Sequence, residues 1–325
     1  MTTNDPLRSF YQSLTGKGAL PLDPTDTYYV PILESTPEKD PILSLFQRID
    51  LAESESVNLL TGFRGNGKST ELRRLKSYLE KNGCQVFLVN MLDYVFMTKP
   101  VELSDFMISL MAALAGAVEK SACAGLKPLS ESYWERLQNF LSSEVMVEKL
   151  DLGLKPMGVG GTLGLKLKTD PQFKVRIQKH LEGHLTRLVE EARDFVNKLV
   201  ETIRKQDRDS DKKVVLLVDS LEQLRGVRED AEHIYASVVE LFSGQAANLE
   251  FPKLHVVYTI PPYLTTLAHN LGRSLGGHPI TQWPNIHIRN NKNELDRNGL
   301  AIMEAIVQKR FPDWRQVIPD RKSVV

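Results

Sequence analysis

Leu59-Leu60-Thr61-Gly62-Phe63-Arg64-Gly65-Asn66-Gly67-Lys68-Ser69-Thr70 decides how this chain is read. An apolar strand end runs into a glycine-rich loop, and a helix starts beyond it with Leu72, Leu75 and Leu79 on one face. The spacing is G-x-x-x-x-G-K-S, with Gly62, Gly67, Lys68 and Ser69 in the defining places. Glycine permits the tight backbone curl, and successive N–H groups then converge on an anion. The helix behind the loop adds the positive end of its dipole. In such a loop Lys68 is a mobile charge for β- and γ-phosphates, and Ser69 offers a hydroxyl to Mg²⁺. The whole run Gly62, Phe63, Arg64, Gly65, Asn66, Gly67, Lys68, Ser69 and Thr70 is therefore the expected nucleotide contact.

Outward from this loop, strand signals recur. Asp40-Pro41 opens a helix carrying Ile42, Leu45, Phe46 and Ile49, which leads into Val57–Leu60. Residues 84–90 and 213–219 are β-rich apolar runs, and 253–260 is a third, closed by Pro261-Pro262. A further short strand is expected within 279–289, a helix near 229–243, and an amphipathic helix over 293–311. Strand, loop, helix, strand is the signature of a doubly wound parallel sheet. The fold expected is α/β, a three-layer αβα core interrupted by a large all-α insertion that carries a β-hairpin.

The divisions follow. Residues 1–40 are a Pro- and Asp-rich arm, and 41–100 with 211–290 form the core. Residues 101–210 are the insertion, with the hairpin at 151–168, and 291–325 hold a C-terminal helix. Within the insertion, helices are expected over 103–118, over 131–150 (including Phe140 and Leu141), and over one long stretch, 171–206. The insertion reads either as a bundle packing on itself or as an arm that contacts a partner. Lys166, Lys168, Lys174, Arg176, Lys179 and Arg187 make a basic run, either a solvated face or a surface for a phosphate backbone or acidic partner. His180 and His184 share a helix face, but Glu182 does not complete a metalloprotease pattern.

Composition bounds the rest. The chain has 325 residues, 42% hydrophobic and 25% charged, with zero formal net charge, so it is expected to fold and lacks the global basic excess of a dedicated nucleic-acid binder. Cys84 and Cys123 stand far apart and frame neither disulfides nor zinc. With no signal peptide and no apolar run of about 20 residues, a cytoplasmic protein without a membrane segment is expected.

Asp219 closes the apolar strand 214–218, and placed beside the loop strand it would reach Mg²⁺ through water. Ser69 and Asp219 are thus the candidate metal anchors. Hydrolysis also needs a group to orient water; Ser220 follows Asp219, so Glu222 is the candidate base. Thr259, ending the next strand, is a candidate ligand of the γ-phosphate or of water. Arg64, Arg273 and Arg289 are candidate γ-phosphate sensors, in cis or from a neighbour. Tyr28, Tyr29 and Val30 either cover a nucleobase or cover the core.

The order G-x-x-x-x-G-K-S, then strand-Asp219-x-x-Glu222, then a strand ending in Thr259 resembles the AAA+ and STAND branch of P-loop NTPases. The run Thr61–Arg73 looks like a group of bacterial ATPases of that branch. The resemblance implies ATP with Mg²⁺, a nucleotide-driven switch, frequent oligomers, and roles in bacterial defence and regulation. It also implies a helical lid with a sensor arginine. The chain stops soon after Phe311, so the lid is expected to be absent or truncated, as in a fragment or a protein completed by a partner. Two readings follow: an ATPase switch with slow hydrolysis and protein contacts through the insertion, or a nucleotide-dependent scaffold that hardly hydrolyses. A DNA-handling ATPase using the lysine-rich hairpin is a third.

Overall fold

The computed structural model describes residues 5–15, 20–33, 39–121, 126–145, 168–181 and 183–318. The hairpin expected over 151–168 lies outside them except for Lys168, as do Lys166, Cys123, Glu182, the tail from 319 onward, and the side chains of Phe140, Leu141 and His180.

Five strands form one all-parallel sheet: β1 (Val57–Thr61), β2 (Gln85–Asn90), β3 (Val214–Asp219), β4 (Leu254–Ile260) and β5 (Thr281–Gln282), in the order β2-β3-β4-β1-β5. The strands β1, β3 and β4 are buried at every position, as their near-continuous apolar runs require of a sheet covered on both faces. This order corrects one expectation. Asp219 does not lie on the strand next to β1, because β4 is hydrogen-bonded between them. Runs of equal apolarity carry no information about lateral order; the long return after β3 lets the chain enter the gap beside β1.

Alternation along the strands sorts the core into two layers. On one face, helix α2 (Pro41–Leu51) and helix α3 (Lys68–Lys81) pack Ile42, Leu45, Leu72 and Leu75 against Leu60, Val86, Val215 and Val257. Asp40 caps α2 as expected, accepting from the Ile42 N–H at 2.9 Å. On the other face lie helix α4 (Leu103–Lys120), α5 (Leu126–Val145), α6 (Pro171–Leu181) and α7 (Leu185–Asp207). Helix α4 is buried at every residue from Leu103 to Ala115, as befits a helix apolar all round. It and α7 share one continuous apolar cluster with Leu59, Phe87, Leu216 and Tyr258. The helices of the insertion pack on one another, α5 on α4 and α7 and α6 on α4, and through α4 and α7 they also cover the second face of the sheet in that one cluster. The expected helix 171–206 is two helices, α6 and α7, separated around Gly183, with the His184 N–H closing a turn on the Leu181 carbonyl at 2.9 Å. Lys168 and Lys174 of the basic run turn inward. Lys168 donates to the Leu92 carbonyl, and Lys174 pairs with Asp105 at 2.6 Å and donates to the Pro100 carbonyl at 2.7 Å.

Beyond β3, helix α8 (Ala231–Val239) continues as a π turn over Glu240–Gly244. Helix α9 (Arg297–Arg310), capped by Asp296, is followed by α10 (Trp314–Val317). Helix α1 (Pro6–Thr15) joins both: Phe10, Val307 and Trp314 form a small separate cluster, with the Phe10 and Phe311 rings edge to face at 5.5 Å. No helix among the described residues is long and apolar enough to cross a membrane.

Candidate functional site

The site is built where β1 gives way to α3. Gly65 and Gly67 adopt left-handed φ of 86° and 91°, a conformation that favours glycine, and Gly67 is the N-cap of α3. Gly62 is needed for space instead: a Cβ there would lie 2.8 Å from Asn66 Nδ2 and 2.9 Å from the Trp283 carbonyl oxygen. Inside the curl, Lys68 is almost fully buried; its ammonium donates to the Phe63 carbonyl at 2.6 Å and to Asn66 Oδ1 at 3.1 Å. Burial pulls the Lys68 pKa down, and the charges of Glu222 and Asp219 oppose that.

Asp219 comes to this loop from β3, across the width of β4. Its side chain lies near Ser69 and accepts from the Ser220 N–H at 2.7 Å. Burial first, then the nearby Glu222 charge, pushes its pKa up to about 6. Ser220 takes a left-handed φ of 76°, rare for a residue with a Cβ. The sharp turn and the short 3₁₀ turn Leu221–Gln223 swing Glu222 back over the loop, 3.7 Å from Lys68 Nζ. Glu222 Oε2 is buried and has no hydrogen-bond partner. Thr259, the expected ligand of the γ-phosphate or of water, is bonded to backbone groups at the end of β3. Fully buried, its hydroxyl donates to the Val218 carbonyl at 3.1 Å and accepts from the Leu221 N–H at 3.0 Å. Both of these bonds hold the turn that carries Glu222.

Beside the loop opens a cavity of about 490 Å³. The loop residues Arg64, Gly65 and Gly67 form its floor, Tyr28 and Tyr29 of the arm one wall, and Met303 of α9 the other. The arm is moored to the first turn of α3: the Leu22 N–H donates to Thr70 Oγ1 at 3.1 Å, and Tyr29 Oη donates to Glu71 at 3.2 Å. Lys309 of α9 in turn donates to the Tyr29 carbonyl at 2.6 Å. Of the arginines singled out in sequence, only Arg64 lines this cavity. Arg289 donates to Asn293 in a local turn at 2.7 Å, and Arg273 lines two other cavities. Arg310 does line it, and burial lowers its pKa. Sequence reading missed it because a basic residue in a last helical turn is ordinary dipole compensation.

The donor set suits a Mg²⁺-bound phosphate chain. Among the described residues no group of three His, Cys, Asp or Glu could hold a metal alone. Mg²⁺ in phosphate-transfer sites takes one or two protein oxygens and completes its octahedron with phosphate and water. Ser69 and Asp219 would hold it, and the orphaned Glu222 oxygen calls for a donor that nothing in the described protein supplies. Compared with protein-family models and with curated proteins, the chain matches none of either.

Proposed function

We propose that the chain is an ATP-binding P-loop ATPase that acts as a nucleotide-driven switch. The observation that carries this reading is the convergence of Lys68, Asp219 and Glu222 on the left-handed glycine loop beside a cavity large enough for a nucleoside. In this reading Lys68 exchanges its bonds to Phe63 and Asn66 for β- and γ-phosphate oxygens, with the loop N–H groups around it. Ser69 and Asp219 hold Mg²⁺, which supplies charge neutralisation on the phosphates. Glu222 accepts a proton from the water that attacks the γ-phosphorus as the bond to the departing ADP oxygen breaks. Thr259 positions Glu222 through the Leu221 turn. The base sits against Tyr28 and Tyr29, and Arg310 faces the same cavity. An arginine from a second copy, or a protein partner seated on the insertion, would complete the switch.

The Lys68–Glu222 proximity favours slow turnover, because a base paired with the loop lysine must part from it before it can work. The same proximity supports the second reading, a nucleotide-dependent scaffold. Calorimetry with Mg-ATP and phosphate release on one sample test both. Lys68→Ala is expected to abolish binding, and Glu222→Gln to keep binding while losing at least tenfold in turnover. Unaltered ATP binding by Lys68→Ala rules out the proposed site. Binding without multiple turnovers in the wild type selects the scaffold. The DNA-handling reading draws less support, since Lys168 and Lys174 are spent within the fold.

A further inference from the structure

Asn66 stands at the crown of the glycine loop and is gripped from several sides. Its backbone carbonyl accepts from the indole N–H of Trp283 at 2.9 Å. Its side-chain Nδ2 donates to the Trp283 carbonyl at 3.3 Å and to Asn285 Oδ1 at 3.4 Å. These partners settle which way the amide faces. A backbone carbonyl can only accept and an ammonium can only donate, so Nδ2 faces Trp283 and Oδ1 faces Lys68 at 3.1 Å. Trp283 itself is buried under α2 and α3, and its backbone N–H donates to the Thr61 carbonyl at 2.8 Å, which locks it to β1. The absence of a Cβ at Gly62 gives the pair its room.

From this chain of contacts we infer that Asn66 and Trp283 are positioning residues that hold Lys68 in its resting place and couple its release to edge strand β5. The inference rests on the nucleotide-binding reading above. When phosphate oxygens take Lys68, Asn66 Oδ1 loses its donor. The amide and loop carbonyl then readjust against a rigid indole. Asn285 and Ile286, just past β5, line the base cavity with α9, so this readjustment links the phosphate end of the site to its base end.

The test uses the full chain labelled with 5-fluorotryptophan, whose three tryptophans give three fluorine resonances assigned by Trp134→Phe and Trp314→Phe. Mg-ATP binding is measured by calorimetry on the same preparation. Saturating Mg-ATP is expected to shift the Trp283 resonance and leave that of Trp134, buried between α5 and α7, in place. Trp283→Phe keeps the ring and removes the indole N–H, which loosens the resting hold on Lys68, and is expected to tighten Mg-ATP binding about tenfold, the scale of one lost hydrogen bond near a charged group. Asn66→Ala, at a half-exposed loop position, provides an independent measure should Trp283→Phe fold poorly: it removes the acceptor that holds Lys68 at rest, so it is expected to tighten binding similarly and to abolish the Trp283 shift. Calorimetric binding with a stationary Trp283 resonance and unchanged affinity in Asn66→Ala overturns the inference and leaves the nucleotide site standing. No heat of binding in the wild type removes both.

Discussion

Two buried titratable side chains at opposite ends of the sheet act on stability in opposite senses. Asp219 has its pKa raised from 3.8 to about 6, chiefly by burial. The folded state therefore holds a proton that the unfolded chain has already lost. Stability falls as pH rises from about 4 to about 6, and the full cost is present at neutral pH. Two pKa units correspond to about 3 kcal/mol. His255 is the reverse case. Burial, then Lys213 and Arg204, lowers its pKa to about 4, and its Nδ1 lies 2.9 Å from the Ser56 hydroxyl. Neutral histidine is what the fold accommodates, so its contribution is lost as pH falls from about 6.5 to about 4. In the wild type the two trends offset each other between about pH 4 and 6. Asp219→Asn is expected to be more stable than wild type by about 2 kcal/mol at pH 7.5, with no gain near pH 4, and to lose stability more steeply on acidification. Denaturant unfolding at pH 4, 6 and 7.5 checks this; a gain equal at all three pH values would refute it. The sequence made Asp219 legible as a candidate site residue, since an apolar run ending in a carboxylate downstream of a phosphate-type loop is a recognisable pattern. It did not disclose the charge state, which depends on how closely Glu222 and the desolvated interior surround it.

At the scale of elements, Arg74 bolts α3 to α2. Its guanidinium is buried and forked across Asp40, at 2.6 and 2.9 Å, while its Nε donates to Glu71 at 2.6 Å. The same Glu71 accepts from Tyr29 of the arm, and burial raises its pKa. Removing the cation strands two buried carboxyl groups. Arg74→Met is expected to cost about 3 kcal/mol, read as a lowered denaturant midpoint with unchanged slope. Neutralising the partners as well, in Asp40→Asn with Glu71→Gln, is expected to recover part of that loss, because the cost comes from unpaired charge and not from volume. A cost unaffected by the added substitutions counts against this account. The elements themselves were largely readable. β1, α3, β2, β3 and β4 announce themselves by apolar period and by the turn residues between them. The break between α6 and α7 escaped notice because its apolar positions, Ile177, Leu181 and Leu188, keep helical spacing across Gly183 and all face the core. The place of Thr259 at a strand end suggests a ligand of phosphate or water, while its bonds to β3 and to the turn after it have no signature in the sequence.

For the molecule as a whole, the two ends of the described chain meet beside the cavity next to the glycine loop. The α1 cluster of Phe10, Val307 and Trp314 is small and detached from the main core, and it backs α9, whose other side faces the cavity. Regions with few buried apolar contacts open first. Phe10→Ala is therefore expected to speed amide exchange over residues 297–318 at least tenfold, with β1, β3 and β4 protected as in wild type. Uniform loss of protection across the chain would show that α1 belongs to the global folding unit instead. Some of this molecule follows from the sequence alone: a parallel α/β core, the glycine loop and its lysine, the carboxylate at the end of β3, and helices in the insertion. These rest on short-range rules of period, turn chemistry and backbone freedom, which a linear string carries in full. The strand order that puts β4 between Asp219 and β1, the use of the insertion as a layer of the sheet, the lining of the cavity by Arg310 and not by Arg273 or Arg289, and the grip of Trp283 on Asn66 were decided only by the tertiary structure. Each depends on which surfaces, far apart in sequence, exclude water together, and burial of that kind has no local signature.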